Sequence, residues 1–351
     1  MNWQRIFRIG ISGSGIEFTH VNHDIALHPG RFAPYPERQS AISGWHVDKA
    51  GFGILLDRII SLAVERSDGK LEAGDIGIAL AIHDRPLRAA DPGPLSSVPS
   101  FSYRCDVPVY PASVVKLFCL HAFTAFEAMG RFTPNDEDRR AARAMIALSS
   151  NEATAFLMGR LTGAFDGPCL DDDALTAWLR DRHGVQDWLT GLRRPEFRDI
   201  NVLHATYEDS PYGCAYQARS RSPGNRLTAR ACLALMHDIA RGAAASPAWM
   251  MELMDRSRER RAFAETGIPP EGDQVRGFLG EGMPESTLLW SKAGHTSWTR
   301  HDLVYAETAP GPSFVACVMT DSRWSAADTS LFPDIGRLIH EAVLEDGHDQ
   351  A

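Results

Sequence analysis

The sequence predicts an α+β fold in which an antiparallel sheet is flanked by helices and an all-helical part is inserted between its strands. Two apolar, strand-like runs occur early in the chain and three more occur late, at residues 76–83, 101–109, 287–291, 303–308 and 314–320. Between these groups, from about residue 111 to about 280, the apolar residues recur at helical spacing. A sheet completed by both ends of the chain, with helices in the middle, is typical of an α+β domain.

The helices are predicted from apolar periodicity and from the residues at their ends. Residues 112–129 are apolar almost all round, as expected of a helix buried on every side. Residues 135–161 are amphipathic, with Asn135 or Asp136 as the N-cap. The predicted helices are 52–66, 112–129, 135–161, 171–182, 228–241 and 331–344. Residues 190–224 show no clear period, and a loop of that length is often functional.

The first 48 residues differ in composition from the rest of the chain. They are rich in Gly, Pro, His and Arg, so we expect an N-terminal extension over 1–48, with one short hairpin, and a single domain over 49–351. The segment GISGSG at 10–15 is similar to a phosphate-binding loop, but it lacks the strong preceding strand, the following helix and the Lys-Ser/Thr end. A flexible turn is therefore the favoured interpretation.

The composition is that of an ordinary globular protein, with 351 residues, 44% hydrophobic and 23% charged. The net charge is −9 and no basic stripe is visible, so we expect no nucleic-acid partner. No apolar run approaches the roughly 18 residues of a membrane span, so we expect no membrane association. The absence of an apolar signal segment favours the cytoplasm, with a periplasmic or secreted location as the alternative. The sequence leaves the oligomeric state open.

The cysteine and histidine patterns argue against metal chemistry. The six cysteines are scattered and form no CxxC pair, so we expect neither a zinc site nor a disulfide framework, and no cofactor. Neither an HExxH motif nor a G-x-S-x-G elbow is present. We therefore interpret the isolated histidine side chains as structural, among them His204, His237, His295 and His301.

The segment YPASVVKLFCLHAF places a hydroxyl and an amine at the start of a predicted helix. Ser113 and Lys116 are three residues apart, so their side chains share a helix face. Lys116 lies among Val, Leu and Phe residues, and burial lowers the pKa of an amine. A neutral amine can take the proton of Ser113 and make it a nucleophile. Alone, this spacing also fits a serine that caps a helix and a lysine that reaches the surface.

Two later fragments add polar groups. In LSSNEAT, a turn would let the Ser149 hydroxyl pass a proton to a leaving group and the Asn151 amide bind a substrate carbonyl. A polar break inside a helix is the alternative. In LLWSKAGHTSW, Lys292 follows a strand-like run and can hold a substrate carboxylate, while Gly294 permits close approach of a ligand. An ordinary strand ending in a turn is the alternative there.

Backbone N–H groups complete the candidate site. The N–H of His295 and that of Ser113 can together form an oxyanion hole for a developing negative charge. The predicted start of the helix favours negative charge at Ser113 as well, because its N–H groups point outward along the helix dipole.

In this order, the three fragments resemble the S-x-x-K, S-x-N and K-T-G motifs of serine β-lactamases and penicillin-binding proteins. The resemblance is closest to class A β-lactamases and extends from about residue 52 to the C-terminus. The stretches ALTAWLRDRHG, NRLTARACLALMHDIARG and RHDLVYAE fit as well. The resemblance implies a site between an α/β part and an all-helical part. It also implies a small-molecule substrate, which would be a β-lactam, an ester or a D-amino-acid amide.

The resemblance assigns a role to each side chain. It implies that Ser113 is the acylated nucleophile and that Lys116 is its activating base. Ser149 would relay a proton to the leaving nitrogen, and Asn151 would bind the acylamide side chain. Lys292 would hold the substrate carboxylate and tune the proton relay.

The chain departs from the family pattern at two points that affect chemistry. Ala293 stands where the family usually has Thr, which removes a hydroxyl contact to the substrate carboxylate. The deacylating Glu expected on the long loop is matched in part by Glu196 in LRRPEFRDIN, with Asn201 five residues on rather than four. Glu208 is a second candidate. If neither activates water, the acyl-enzyme persists or passes to another acceptor.

The sequence therefore predicts a serine hydrolase that acts through an acyl-enzyme on Ser113, with β-lactam hydrolysis as the leading reaction. The first alternative is an esterase, amidase or D-peptidase of the same mechanism, acting within natural-product metabolism. The second is a non-catalytic binding protein that keeps the fold. The complete set of Ser113, Lys116, Ser149 and Lys292 argues against the second, because a binder needs no buried amine beside a hydroxyl.

Overall fold

The computed structural model describes residues 8–12, 15–19, 50–89, 93–205, 212–308 and 311–349. The chain divides into two compact units, Met1–Ser43 and Gly44–Ala351. Within the first, the described residues form an antiparallel hairpin of β1 (Arg8–Ser12) and β2 (Gly15–Thr19). The second holds the other helices and strands that the structure describes.

The larger unit is built on one antiparallel sheet of five strands. They are β3 (Ile76–His83), β4 (Ser100–Tyr103), β5 (Leu288–His295), β6 (Arg300–Glu307) and β7 (Ser313–Thr320). Their spatial order is β4-β3-β7-β6-β5, so β5 lies at one edge. Two strands precede the helical block in the chain and three follow it. The predicted α+β fold is therefore confirmed.

The described part of this unit contains twelve α-helices. They are α1 (Ala50–Arg66), α2 (Val115–Ala128), α3 (Asp136–Ala147), α4 (Asn151–Thr162), α5 (Asp172–Arg182), α6 (Gly184–Gly191), α7 (Gly213–Arg219), α8 (Ala229–Ala240), α9 (Pro247–Met254), α10 (Ser257–Thr266), α11 (Arg323–Ala327) and α12 (Leu331–Asp349). Helices α2 to α10 lie between β4 and β5 in the chain. Across the described ranges, no helix is both long enough and apolar enough to cross a membrane.

Three predictions differ from the observed elements: the loop predicted over 190–224 contains α7, and a left-handed residue explains each of the other two differences. The predicted helix over 135–161 is divided into α3 and α4, because Ser149 has a φ of 55°. The strand predicted over 101–109 ends at Tyr103, because Arg104 has a φ of 46°. A non-glycine residue in this region can continue neither a right-handed helix nor a strand.

The sheet separates two apolar cores. Alternate residues of β7 point to opposite faces, as strand geometry requires. Val315 and Cys317 pack into a core shared with the helical block, including α2 and α8. Phe314 and Ala316 pack into a second core with α1 and α12. Helix α2 is buried at most of its positions, which explains why its sequence is apolar almost all round.

Candidate active site

The predicted nucleophile lies in a tight turn directly before α2. Ser113 is half-buried in a 3₁₀ turn over Ala112–Val114, and Ala112 has a left-handed φ of 46°. The edge strand β5 packs against this turn at Gly294. A Cβ atom on Gly294 would lie 2.8 Å from the carbonyl oxygen of Pro111, closer than side-chain carbons approach backbone oxygens. Glycine is therefore needed here for strand and turn to meet.

A buried histidine supports the same turn. His301 Nδ1 lies 3.2 Å from the Thr320 N–H, which can only donate, so the proton of the neutral ring is on Nε2. That Nε2 donates to the carbonyl oxygen of Tyr110 at 2.8 Å, three residues before Ser113. Burial lowers the pKa of His301 to about 4, which keeps the ring neutral at physiological pH. His301 therefore anchors the chain that leads into the nucleophile.

Lys116 is fully buried and faces the turn between α3 and α4. Its Nζ lies 2.5 Å from the Ser149 carbonyl oxygen, 2.6 Å from Asn151 Oδ1 and 3.3 Å from Ser149 Oγ. The structure therefore brings Lys116, Ser149 and Asn151 together. The left-handed backbone of Ser149 is what lets both its carbonyl and its hydroxyl face the amine. Strained residues of this kind concentrate at functional sites.

Lys292 reaches the same hydroxyl from the sheet. It is fully buried on β5, and its Nζ lies 3.1 Å from Ser149 Oγ. The Ser149 hydroxyl therefore lies within hydrogen-bonding distance of two buried amines, Lys116 and Lys292. Burial lowers the pKa of Lys292 well below its usual value, and the neighbouring charges of Lys116 and Arg256 lower it further.

Gln274 completes the surroundings of Lys292, and sequence reasoning missed it. Its Oε1 accepts hydrogen bonds from Lys292 Nζ at 2.5 Å and from the Ala293 N–H at 3.1 Å. Its Nε2 donates to the carbonyl oxygens of Ile146 and Ala147 at 2.9 and 3.1 Å. The side chain thus ties β5 to the end of α3. Gln274 lies in an irregular segment without periodicity, so no sequence signal marked it.

Arg256 is a second contributor that the sequence did not reveal. Its charge cluster looks like a solvated surface, yet the residue is only 1% exposed. The guanidinium donates to Ser291 O at 2.7 Å, to Ser291 Oγ at 3.2 Å and to Glu259 Oε1 at 2.5 Å. Glu259 Oε2 in turn accepts the Gln274 N–H at 3.0 Å. Arg256 and Gln274 therefore form one network beneath β5.

The edge of β5 that faces away from β6 orients the second candidate N–H for an oxyanion. The Ala293 N–H points away from β6, because the Gln274 side chain binds it. Since alternate residues of a strand direct their backbone groups to the same side, the His295 N–H points to that edge too. The His295 ring is directed elsewhere, with Nε2 2.9 Å from the Ala326 carbonyl oxygen in α11.

Glu196 lies in a 3₁₀ turn over Pro195–Phe197, held against the helical block. Its carboxylate is 3.5 Å from Arg194 Nε, and Phe197 packs edge-on against Phe118 of α2 with ring centroids 5.6 Å apart. Asn201 is directed away from this turn, because its Nδ2 donates to the carbonyl oxygens at positions 223 and 224. Glu208 lies outside the described residues.

This fold, with a hydroxyl held between two buried amines, is that of the serine β-lactamase-like hydrolases. The model of one family, described as "Beta-lactamase enzyme family", matches residues 138–343, which is more than half of the chain. The chain therefore belongs to the beta-lactamase enzyme family. The matched segment includes Ser149, Asn151 and Lys292, whereas Ser113 and Lys116 precede it.

Solved structures share the fold at low sequence identity. A β-lactamase from Sphaerobacter thermophilus DSM 20745 is 17% identical, with a TM-score of 0.53, and the match covers 86% of this chain and 98% of that one. PBP-A is 15% identical, with a TM-score of 0.54 and coverage of 83% and 96%. A β-lactamase from Chitinophaga pinensis DSM 2588 is 13% identical, with a TM-score of 0.55 and coverage of 84% and 99%. No curated protein sequence matches the chain.

Proposed function

We propose that the protein hydrolyses β-lactam amides through an acyl-enzyme on Ser113. The observation that carries the proposal is the position of Ser149 Oγ, 3.3 Å from the buried amine of Lys116 and 3.1 Å from that of Lys292. A binding protein would not need two buried amines beside a hydroxyl. Removing the amines from water costs free energy, and packing contacts alone do not offset this cost. In a hydrolase they form a path for protons.

Lys116 is suited to activate Ser113 in the first step. Its short contacts with the Ser149 carbonyl oxygen and Asn151 Oδ1 fix the position of the buried amine, and a neutral amine has a lone pair that can accept a proton. The Ser113 proton moves to this lone pair as the bond from Ser113 Oγ to the substrate carbonyl carbon forms. The N–H groups of Ser113 and His295 stabilise the oxygen that becomes negative.

Ser149 is suited to deliver the proton to the leaving group. As the carbon–nitrogen bond of the lactam breaks, its electron pair stays on nitrogen, which takes the hydroxyl proton of Ser149. Lys116 then replaces that proton across the 3.3 Å contact. Lys292 holds the same hydroxyl in place at 3.1 Å. Asn151, bound to Lys116 through Oδ1, keeps an Nδ2 group that can bind the acylamide side chain of the substrate.

Hydrolysis of the acyl-enzyme requires a base that activates water. We propose Glu196 for this role, because its turn is packed against α2 through the contact between Phe197 and Phe118. Water then adds to the ester carbonyl, the bond to Ser113 Oγ breaks, and the proton of the water restores the serine hydroxyl. A structure of a PBP-A variant is described as an acyl-enzyme complex with penicillin G, so one protein of this fold forms an acyl-enzyme with a β-lactam.

The esterase, amidase or D-peptidase alternative keeps the same nucleophile. Two observations favour it: the carboxylate of Glu196 is paired with Arg194, and Ala293 supplies no hydroxyl. A carboxylate held by Arg194 is less free to bind and orient a water molecule, so the acyl group would persist and pass to another acceptor. Both functions predict a covalent adduct on Ser113, and they differ in how quickly it is lost.

The test is incubation with a chromogenic cephalosporin and a fluorescent penicillin, followed by intact mass measurement. We expect turnover of one of them and an adduct on Ser113 during turnover. Ser113→Ala should abolish both, whereas Ser286→Ala, which alters an exposed loop serine, should change neither. An adduct on the Ser113→Ala protein would remove the nucleophile assignment. A stable adduct without turnover would favour the peptidase alternative.

A further inference from the structure

We infer that the site selects acyl donors that carry no carboxylate beside the scissile bond, because Gln274 keeps Lys292 from binding the substrate. The inference rests on the proposed function, since it concerns which donors acylate Ser113. It changes the role of Lys292 from the carboxylate anchor that the family resemblance implies to a positioning residue for the Ser149 hydroxyl.

The first step is the count of hydrogen-bond donors on Lys292. A lysine ammonium has three N–H donors. Three protein oxygens accept from it: Gln274 Oε1 at 2.5 Å, the Ala293 carbonyl at 2.8 Å and Ser149 Oγ at 3.1 Å. The side chain is fully buried. Every donor of Lys292 is therefore satisfied within the protein, and a substrate carboxylate would have to displace one of these partners.

The second step concerns the other cations packed around β5. Arg256 donates to Ser291 O and Glu259, and Arg300 donates to the carbonyl oxygens of Gly277 and Ala326, each at 2.9 Å. Both side chains are buried. Ala293 adds no hydroxyl. In the described part of the chain, the cationic side chains that pack around β5 therefore already donate hydrogen bonds to protein oxygens.

The third step is electrostatic. Burial, and then the charges of Lys116 and Arg256, lower the pKa of Lys292, so its charged form depends on the three protein oxygens that accept hydrogen bonds from it. A carboxylate that enters a buried site must give up its water, and without a cation to replace that water the transfer is costly. An ester or amide at the same position loses far less hydration.

Gln274 cannot release Lys292 by turning its amide over. In the observed orientation Oε1 faces two donors, Lys292 Nζ and the Ala293 N–H, while Nε2 faces two acceptors, the carbonyls of Ile146 and Ala147. A flipped amide would place donors against donors and acceptors against acceptors, leaving four buried groups unsatisfied. The four bonds therefore fix the amide, and the amide fixes Lys292.

The test compares penicillin G with its methyl ester, a pair that shares the lactam and differs at the carboxylate. We measure the second-order rate of acylation of Ser113 by intact mass and by loss of the lactam. We expect the ester to acylate Ser113 at least about tenfold faster than the free acid does. A rate ratio of this size corresponds to the loss of one charge-assisted hydrogen bond. Gln274→Met keeps the side-chain volume and removes the acceptor of Lys292, so the preference for the ester should shrink.

Gln217→Met is the matched control. Gln217 also bridges backbone groups through both ends of its amide, to the N–H and the carbonyl of Leu170, but on α7 away from the site. The Gln217→Met protein should prefer the ester to the free acid as strongly as the unmodified protein does. If the unmodified protein reacts with the free acid as fast as with the ester, or faster, the inference is wrong. If neither compound labels Ser113, the proposed function is wrong and the inference falls with it.

Discussion

Ser149 combines a functional hydroxyl with a backbone that is expensive for any residue but glycine. Its φ of 55° lies in the left-handed region, which costs a residue with a Cβ about 1–2 kcal/mol. The same geometry places its carbonyl and hydroxyl toward Lys116 and its hydroxyl toward Lys292. The proton path and the backbone strain therefore belong to one residue, and substitutions can separate them.

We predict that Ser149→Gly and Ser149→Ala lose acylation alike but differ in stability. Both remove the hydroxyl, so the rate of acylation of Ser113 should fall about 10²–10⁴-fold in each. Gly relieves the strain and Ala does not, so the free energy of unfolding should be about 1 kcal/mol higher for the glycine variant. Denaturant titration measures the difference. Equal stabilities would show that the backbone at this position is not strained.

Arg193 provides a control for that comparison. It also has a left-handed backbone, with a φ of 52°, but its side chain is exposed at the end of α6. Arg193→Gly should be more stable than Arg193→Ala by a similar margin, and both should leave acylation unchanged. A loss of acylation in the Arg193 variants would mean that backbone strain, and not the hydroxyl, controls the rate.

Glu196 is the proposed deacylating base, and its pairing with Arg194 makes the assignment open to a direct test. Glu196→Gln removes the basic oxygen with little change in shape. We expect the acyl-enzyme to accumulate, because loss of a general base slows a step about 10²–10⁴-fold. Burst kinetics with intact mass detection measures the accumulation. Glu137→Gln, on the exposed face of α3, should not alter it, and normal turnover of Glu196→Gln would move the role to another residue.

At the scale of secondary structure, the contact between β5 and the nucleophile turn depends on one glycine. Gly294→Ala places a Cβ 2.8 Å from the Pro111 carbonyl oxygen, so strand or turn must shift. A displacement of this kind near the reacting atoms costs about 10²-fold in rate. Overpacking should also lower the free energy of unfolding by about 1–3 kcal/mol. Acylation kinetics and denaturant titration check the two expectations.

Gly77→Ala is the matched control for the Gly294 variant. Gly77 is also a sheet glycine, on β3, but a Cβ there would lie 3.4 Å from the Arg104 carbonyl oxygen, an ordinary contact. The added methyl group should leave the rate of acylation unchanged and the stability within about 1 kcal/mol of the original. If Gly294→Ala behaves like Gly77→Ala, the close approach of β5 to the turn has no part in catalysis.

The elements that the sequence predicted are long and have one dominant period. Helix α2 and strands β3, β6 and β7 are examples, because burial on both sides or on one face leaves a clear apolar pattern. Helices α6, α7, α9, α10 and α11 were missed. They have eight, seven, eight, ten and five residues, fewer than three full turns each, so a 3.6-residue period is hard to recognise.

The sequence could indicate only those candidate site residues that lie a few positions apart in the chain. Ser113 and Lys116 are three residues apart, and Ser149 and Asn151 are two apart, so each pair is visible in the sequence. Gln274 acts through four bonds to residues that are 18 to 128 positions away in the chain. No local pattern can encode such contacts. They exist only once β5 and α3 have been brought together.

At the scale of the whole molecule, several buried histidines couple folding to pH. Burial is the main cause that lowers the pKa of His83 to about 3, and that of His121, His204 and His301 to about 4. In the unfolded chain, each would have a pKa near 6.5. Below pH 6.5 the unfolded chain therefore binds protons that the folded protein excludes, and folding loses free energy.

We predict that the free energy of unfolding falls as the pH is lowered from about 6.5 to about 4, below which His83 is the one of these four histidines that still adds to the loss. Each group contributes about 1.4 kcal/mol per pH unit in this window. Asp302 and Asp321 oppose the trend, because burial raises the pKa of each, to about 7 for Asp302, but burial lowers the pKa of His295 and His340 as well as that of the four histidines named above. Urea titrations at a series of pH values measure the slope. A stability that stays constant across this window would contradict the prediction.

A variant tests whether the histidines cause this dependence. His121 lies on α2 with its ring 5.0 Å from that of Trp188, so His121→Phe keeps an aromatic contact and removes the titrating group. The pH slope of stability should become shallower by about 1.4 kcal/mol per pH unit. An unchanged slope would mean that His121 is protonated equally in the folded and unfolded states.

The covering of the β5 edge has a consequence for how copies of the protein meet. An exposed edge strand offers a row of unpaired amides and carbonyls to which a strand of another chain can add, which leads to aggregation. Here Arg256 binds the carbonyls of Leu289 and Ser291, while Gln274 binds the Ala293 N–H. Along this stretch the row is already occupied. Arg256 and Gln274, which form the network beneath β5, thus also protect the sheet from edge-to-edge growth into fibrils.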